Sequence, residues 1–266
     1  MIGAILGDIV GSVYEFDNIK TKDFPLFRND CDFTDDTAMT IAIGKALYEL
    51  TNLENIEEFK QLVIKNMHEI GEQYPDLGYG GHFLDWLETG NTKPYNSCGN
   101  GSAMRVSAVG WYARNLEEAE NLAKASAEVT HNHPEGIKGA QAIAGAIYLA
   151  RNGKSKEDIK AYIENKYYKL DFTLDDIRST YEYEITCQKS VPQSIQAFLE
   201  STDFEDAIRN AVSIGGDTDT VAAITGSIAE AFYGIDEDLK ETALSFLDNK
   251  LLDIVENVTE VYTNGR

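Results

Sequence analysis

ENIEEFKQLVIKNMHEIGEQY, residues 54–74, carries the pattern from which the fold class follows. Ile56, Phe59, Val63, Met67, Ile70 and Tyr74 recur at spacings of three and four, which returns each side chain to one face of an α-helix. Residues 137–151 repeat the pattern with Ile137, Ala140, Ile143, Ala144 and Ile147, and Gly153 follows as a stop signal. Ser155 then opens SKEDIKAYIENKYY with Glu157 and Asp158 in the first turn, the chemistry of a helix N-cap. Further helices are predicted at 38–50, 102–113, 116–129, 192–200, 203–213, 218–233 and 237–260. Alternating strand patterns bounded by turns are nearly absent, so an all-α protein is expected. Gly139, Ala140, Ala144 and Gly145, then Ala222, Ala223, Gly226 and Ala229, lie on the buried sides of their helices. Small side chains let helix axes approach closely, which suits a compact multi-helix bundle. No repeat of solenoid period is present.

The 266 residues, 43% of them hydrophobic, suffice for one large core or two small ones. Five prolines stand singly with no linker between them, and residues 1–266 are read as one domain. With 45 acidic against 23 basic residues the formal net charge is −22. Such a surface repels phosphate backbones and argues against generic nucleic-acid or anionic-membrane binding. A local pocket can still take a phosphate-bearing ligand through backbone N–H groups and a bound cation. Cys31, Cys98 and Cys187 make neither a disulfide framework nor a zinc pattern. The N-terminal run MIGAILGDIVGSVYE is apolar but lacks a basic start and is interrupted by Asp8, so it reads as neither signal peptide nor membrane span. A cytoplasmic location is expected.

Three clusters could carry chemistry. In FTDDTAMT, residues 33–40, Thr34 can cap the following helix with Asp35 and Asp36 in its first turn, and that structural reading is complete in itself. In SIGGDTDTVAAITG, residues 213–226, Gly215–Gly216 makes a tight turn and Asp217, Asp219 and Thr220 follow at a helix start. A cap explains one of these side chains, but not easily the whole run behind a double glycine. In GDIVGSVYE, residues 7–15, two glycines mark close helix packing or a turn, and Glu15 ends the run. Asp35, Asp36, Asp217, Asp219 and Glu15 gathered in one pocket would raise one another's pKa values steeply without counter-charge. Two divalent cations would nearly balance them. A donor set of carboxylates and Thr hydroxyls, with no Cys or His, selects hard cations, Mg²⁺ or Mn²⁺, over zinc, and two Mg²⁺ ions are the expected cofactor with Mn²⁺ as the alternative. Such a pair can lower the pKa of a water and orient a substrate for hydrolysis.

Taken together, GDIVGSVYE (7–15), TDDTAMT (34–40), GNGSAMRV (99–106), the histidine of THNHP (130–134) and GGDTDT (215–220) resemble the ADP-ribosylglycohydrolase family, of the dinitrogenase-reductase-activating glycohydrolase type. The resemblance implies a compact orthogonal all-α bundle with a binuclear metal cleft. It implies hydrolysis of the bond between ADP-ribose and an acceptor, by a monomer. It assigns Thr34, Asp35, Asp36, Asp217, Asp219 and Thr220 as metal ligands, and Asp35, Asp36 and Glu15 as catalytic, Glu15 standing on a mobile segment in some members. All seven positions carry ligand-capable side chains. Gly80–Gly81 and Ser97, Cys98, Gly99, Asn100 and Gly101 resemble loops whose N–H groups hold the diphosphate, although glycines are more commonly turn residues. His131 resembles a histidine near the distal part of the ADP-ribose. Where some relatives stack an aromatic on adenine this chain has Cys98, leaving Tyr95 or Tyr79 as substitutes. The acceptor (arginine, serine, a nucleic-acid base or an O-acyl ester) stays open. So do two other readings, a two-metal phosphoester hydrolase and a non-catalytic ADP-ribose binder on the same scaffold.

Overall fold

A computed structural model describes residues 1–264. The helices run α1 Ile2–Ser12, α2 Asp35–Glu49, α3 Ile56–Gln73, α4 Gly81–Glu88, α5 Gly101–Met104, α6 Ser107–Tyr112, α7 Leu116–Glu128, α8 Pro134–Arg151, α9 Lys156–Lys166, α10 Leu174–Ile177, α11 Cys187–Leu199, α12 Phe204–Ser213, α13 Thr218–Tyr233, α14 Glu237–Leu244 and α15 Asn249–Asn264. Among the described residues the only β pairing is an isolated antiparallel bridge between Gly99 and Thr186, so the all-α expectation holds. The periodic stretch is α3, capped by the Asn55 side chain accepting from the Glu58 N–H. Ser155 caps α9 in a reciprocal box with Asp158.

The bundle is organised around α1 and α13. Ile2 through Gly11 and Thr218 through Ala229 are buried throughout, so neither helix has a solvated stripe over those spans. Glycines at every fourth position of α1 face α13. A Cβ on Gly3 would lie 2.2 Å from the Gly226 carbonyl oxygen, on Gly7 2.1 Å from that of Ala222, and on Gly11 2.5 Å from the Asp219 Cα. Rising numbers on α1 meet falling numbers on α13, so the pair is antiparallel. The C-terminal end of α1 therefore lies against the N-terminal end of α13, and the Thr218 hydroxyl donates to the Gly11 carbonyl at 2.8 Å. At the other end the Met1 ammonium and the Gly3 N–H both reach the Glu230 carboxylate, at 2.5 and 2.9 Å. The small residues noted on α8 work the same way, Gly139 admitting Cys187 and Gly145 admitting Tyr162.

Several boundaries differ from the periodic reading. The apolar N-terminal run, read as close packing or a turn, is helix α1. The segment 102–113 divides into α5 and α6 because Arg105 and Val106 hold ψ at −3°, and turn bonds replace the helical ladder. The segment 237–260 divides because Asp248 caps α15, its carboxylate accepting from the N–H groups of Lys250 and Leu251. Helix α11 begins at Cys187 and carries Pro192 inside it, forgoing one ladder bond. Helix α4 lies in a stretch for which the sequence predicts no helix. No helix among the described residues is long and apolar enough to cross a membrane.

If the α1–α13 approach holds the bundle together, Gly7→Ala should destabilise the protein by about 3 kcal/mol, the upper part of the overpacking range. Gly80→Ala, whose Cβ meets nothing within 4 Å, should stay within about 0.5 kcal/mol of wild type in urea unfolding. Equal effects of the two substitutions would remove the close approach as a determinant.

Candidate active site

Asp8 lies on buried α1 beside Gly7, and its carboxylate is fully enclosed. One oxygen accepts the Thr34 hydroxyl at 2.7 Å. The other accepts the Thr34 and Thr37 N–H groups at 2.9 and 3.0 Å. A buried carboxylate on one helix thus receives the open N-terminal donors of another. Thr34 is the N-cap of α2, its hydroxyl oxygen also accepting from the Asp36 N–H at 3.3 Å. The capping reading of Thr34 is therefore correct, and it leaves the carboxylates of Asp35 and Asp36 to other work.

The start of α13 is built by its double glycine. Gly215 and Gly216 adopt φ of 70° and 83°, which glycine reaches without strain. Asn18 clamps the turn, its amide donating to the Gly216 carbonyl at 3.0 Å and accepting from the Gly216 N–H at 2.6 Å. Asp217 holds the N-cap position of α13 yet makes no side-chain cap bond. Its carboxylate accepts instead from the Asn100 amide at 2.6 Å. Asp219 accepts the Thr220 N–H at 2.9 Å, and the Thr220 hydroxyl donates to Asp36 at 3.0 Å. That last bond joins segments 184 positions apart and closes the pocket.

The result is six carboxylates with no protein cation paired to them among the described residues. Burial is the first cause raising each of them, and mutual repulsion is the second for three. Asp35, Asp36 and Asp219 are pushed well above the ordinary carboxylate range, Asp217 and Glu15 are raised, and Asp8 is pushed up to about 6. One oxygen of Asp36 is buried without any hydrogen-bond partner. Carboxylate oxygens of Glu15, Asp217 and Asp219, and separately of Asp8, Asp36 and Asp219, come within 4.8 Å of one another. These groups could hold hard cations. Asp8 already receives three hydrogen bonds, so it reads as the organiser of the cluster rather than a ligand. Asp35 falls in neither close group of three, although it lines the same cavity.

Thr34, Asp35, Asp36, Glu15, Asp217, Asp219 and Thr220 share a cavity of about 310 Å³ with Gly80, Gly81, Ser97, Gly99, Asn100, Gly101 and His131. Cys98 is not part of that lining, and of the two tyrosines considered for stacking only Tyr95 is. The glycine-rich loop also differs from a fully open row of donors. The Gly99 N–H donates to the Ser97 hydroxyl at 3.1 Å and the Asn100 N–H to the Ile185 carbonyl at 2.8 Å, so both are already committed. The Asn100 amide serves Asp217 as well. Gly80 is the N-cap of α4, not a mid-loop residue, and the N–H groups of Gly81 and His82 bond no protein acceptor among the described residues. Glu15 stands at the cavity wall, where the Tyr183 hydroxyl donates to it at 2.9 Å and Phe16 stacks on the Tyr183 ring.

The family model described as ADP-ribosylglycohydrolase matches residues 1–265. The chain belongs to the ADP-ribosylglycohydrolase family. Among the relatives of this chain is ADP-ribosylhydrolase ARH3 of Homo sapiens, 26% identical over 89% of this chain and 85% of that protein. ADP-ribosylarginine hydrolase Tri1 of Pseudomonas putida (strain GB-1) is 27% identical over 88% of this chain and 70% of that one. A solved structure titled "ADP-ribosylglycohydrolase-related protein complex" aligns with a TM-score of 0.66 at 20% identity, over 97% and 96% of the two chains, and supports the fold.

Asp8, Asn18 and Tyr183 belong to the candidate site but were not singled out from the sequence. Asp8 did carry a signal, a lone carboxylate in an otherwise apolar run, which demands a partner if the run is buried. Asn18 and Tyr183 lie in irregular segments whose course the sequence does not show.

The raised carboxylates fix the sign of a stability measurement. An acid whose folded pKa exceeds its unfolded value binds more protons when folded, so its stabilisation is complete below the unfolded pKa and is lost as pH rises through the folded one. For Asp8 that window runs from 3.8 to about 6, and for Asp35, Asp36 and Asp219, which are pushed well above the ordinary carboxylate range, it extends further up and carries most of the effect. In chelator, Tm should therefore rise by several °C between pH 8 and pH 5.5, on the order expected for a few kcal/mol. A flat or falling Tm over that interval would show that the cluster is ionised and compensated without added cation.

Proposed function

We propose that this chain hydrolyses the bond between an ADP-ribosyl group and its acceptor, using two divalent cations, Mg²⁺ or Mn²⁺, held by Thr34, Asp35, Asp36, Asp217, Asp219 and Thr220. The observation that carries the reading is the buried carboxylate cluster closed by the Thr220–Asp36 bond, with an Asp36 oxygen left without a partner. A donor set made only of oxygens fits hard cations, and an orphaned buried carboxylate oxygen is what a ligand awaiting its ion looks like. Bound there, such cations supply Lewis acidity and lower the pKa of water.

The chain's own residues do the rest. Asp35 or Asp36 orients the attacking water and accepts its proton. Positive charge develops on the ribose ring as the glycosidic bond loosens, and the surrounding carboxylates stabilise it in a pocket of low dielectric. Asn100 and the Thr220 hydroxyl hold Asp217 and Asp36 in place for this. The open N–H groups of Gly81 and His82 at the start of α4 suit a diphosphate better than the committed ones of Gly99 and Asn100. Glu15, tied to Tyr183, sits where it can admit or exclude a ligand. The relatives named above support ADP-ribosyl hydrolysis as the reaction class. Their names cover more than one description of substrate, so the acceptor is left to assay.

Release of ADP-ribose should be measured from arginine-, serine- and base-linked substrates, with Mg²⁺ or Mn²⁺ and with chelator. At least one linkage should be cleaved, and only with metal. Asp35→Asn combined with Asp36→Asn should lower kcat/KM by roughly 10³-fold or more with the helical fold retained. Full activity of the double variant, or equal release in chelator, would contradict the proposal. Phosphate release from a simple monoester in place of ADP-ribose would favour a phosphoester hydrolase.

A further inference from the structure

A second polar constellation lines the cavity and takes no part in the carboxylate cluster. Arg105 is 1% exposed and has no carboxylate partner among the described residues, an unusual state for a cation in a chain of net charge −22. Its Nη2 donates to the Ser126 carbonyl at 2.9 Å and to the Thr130 hydroxyl oxygen at 2.8 Å. Thr130 is fully buried, and its Oγ1 lies 2.8 Å from Nδ1 of His131. Nε2 of that histidine points toward the glycine-rich loop, where a Cβ on Gly101 would meet it at 3.1 Å and one on Gly99 at 3.5 Å. No protein group among the described residues hydrogen-bonds Nε2. Arg105, His131, Gly99 and Gly101 all line the cavity.

The direction of this chain follows from what each group can do. A guanidinium only donates, so it occupies a lone pair of the Thr130 oxygen. A hydroxyl that accepts from a cation is polarised to donate onward, and Nδ1 is positioned to accept. A proton on Nδ1 would instead need the second lone pair of an oxygen that already accepts from a cation and is a poorer acceptor for it, so the accepting Nδ1 is the favoured arrangement. With Nδ1 accepting, the ring proton must sit on Nε2.

We propose that Arg105 and Thr130 are positioning residues: the chain Arg105 Nη2–H to Thr130 Oγ1–H to His131 Nδ1 fixes the neutral Nε2–H tautomer, so the wall beside Gly99 and Gly101 presents a permanent hydrogen-bond donor to a hydroxyl or phosphoryl oxygen of the ligand. The assignment of that ligand as an ADP-ribosyl group rests on the function proposed above, whereas the tautomer does not. The charged and titratable groups facing the ring are Arg105 and Tyr95, whose ring lies 5.9 Å away. Burial first, and the Arg105 charge second, hold His131 well below the ordinary imidazole range. Tyr95, pushed up to about 12 by burial, keeps its own proton.

The test is long-range ¹H–¹⁵N NMR of the ¹⁵N-labelled full chain without ligand, with His131 assigned by His131→Gln. The wild type should show a protonated Nε2 and a pyridine-like Nδ1 at pH 7. Thr130→Val should give a tautomer mixture and weaken ADP-ribose binding roughly tenfold, the scale of one lost hydrogen bond. Thr130→Ser should restore both, and the Val variant should raise KM with kcat nearly unchanged. A wild-type signal from Nδ1–H or imidazolium would overturn the proposal, as would a Val variant with unaltered tautomer and affinity. If the tautomer responds as expected while ADP-ribose fails to bind the wild type, the positioning role stands and the functional reading falls.

Discussion

Gly3, Gly7 and Gly11 allow α1 to lie against α13 with no side chain between the backbones, and the antiparallel sense of that contact decides where the chemistry goes. It delivers the end of α1 to the start of α13, where Thr218 bonds the Gly11 carbonyl. One residue after Gly7, Asp8 faces the start of α2 and takes its first N–H donors. A single helix therefore sets two helix N-termini side by side, and the acids at both starts share one cavity. Removing the glycines would separate the halves of the site before any acid were touched.

Gathering carboxylates in this way opposes stability. Desolvation is the leading cause of every raised pKa in the cluster, and the acids add to one another. The surrounding structure holds them against that repulsion with hydrogen bonds to Asn100, Thr34, Thr37 and Thr220, which fix orientation without neutralising charge. Local strain of this kind is what a ligand-binding site stores and what a bound cation would relieve. Glu15 and Asp35 are the two half-buried members; Glu15 is tied to a single tyrosine, and the Asp35 carboxylate takes no side-chain hydrogen bond among the described residues.

The helical class was legible because period and caps are local. Ile56 to Tyr74 predicts α3 almost to the residue, and Ser155 with Asp158 predicts the start of α9. The acids of α2 and α13 were legible as residue types at helix starts, and the double glycine before Asp217 does adopt the positive φ its turn requires. What sequence could not supply was contact between distant segments. Thr220 bonding Asp36, Asn100 bonding Asp217 and Tyr183 bonding Glu15 join positions more than a hundred residues apart, and no local pattern encodes them. The same limit explains the loop at 97–101. Its glycines suggested open donors, but Ser97 and Ile185 take two of them.

The central claim is that this cluster is built for two hard cations. Anomalous diffraction from crystals of the full chain equilibrated with Mn²⁺ tests it most directly. Two Mn²⁺ peaks with ligands drawn from Asp35, Asp36, Asp217, Asp219, Thr220, Thr34 and Glu15 are predicted. A cluster that stays free of Mn²⁺ at millimolar concentration, its charge carried by protons alone, would contradict the account.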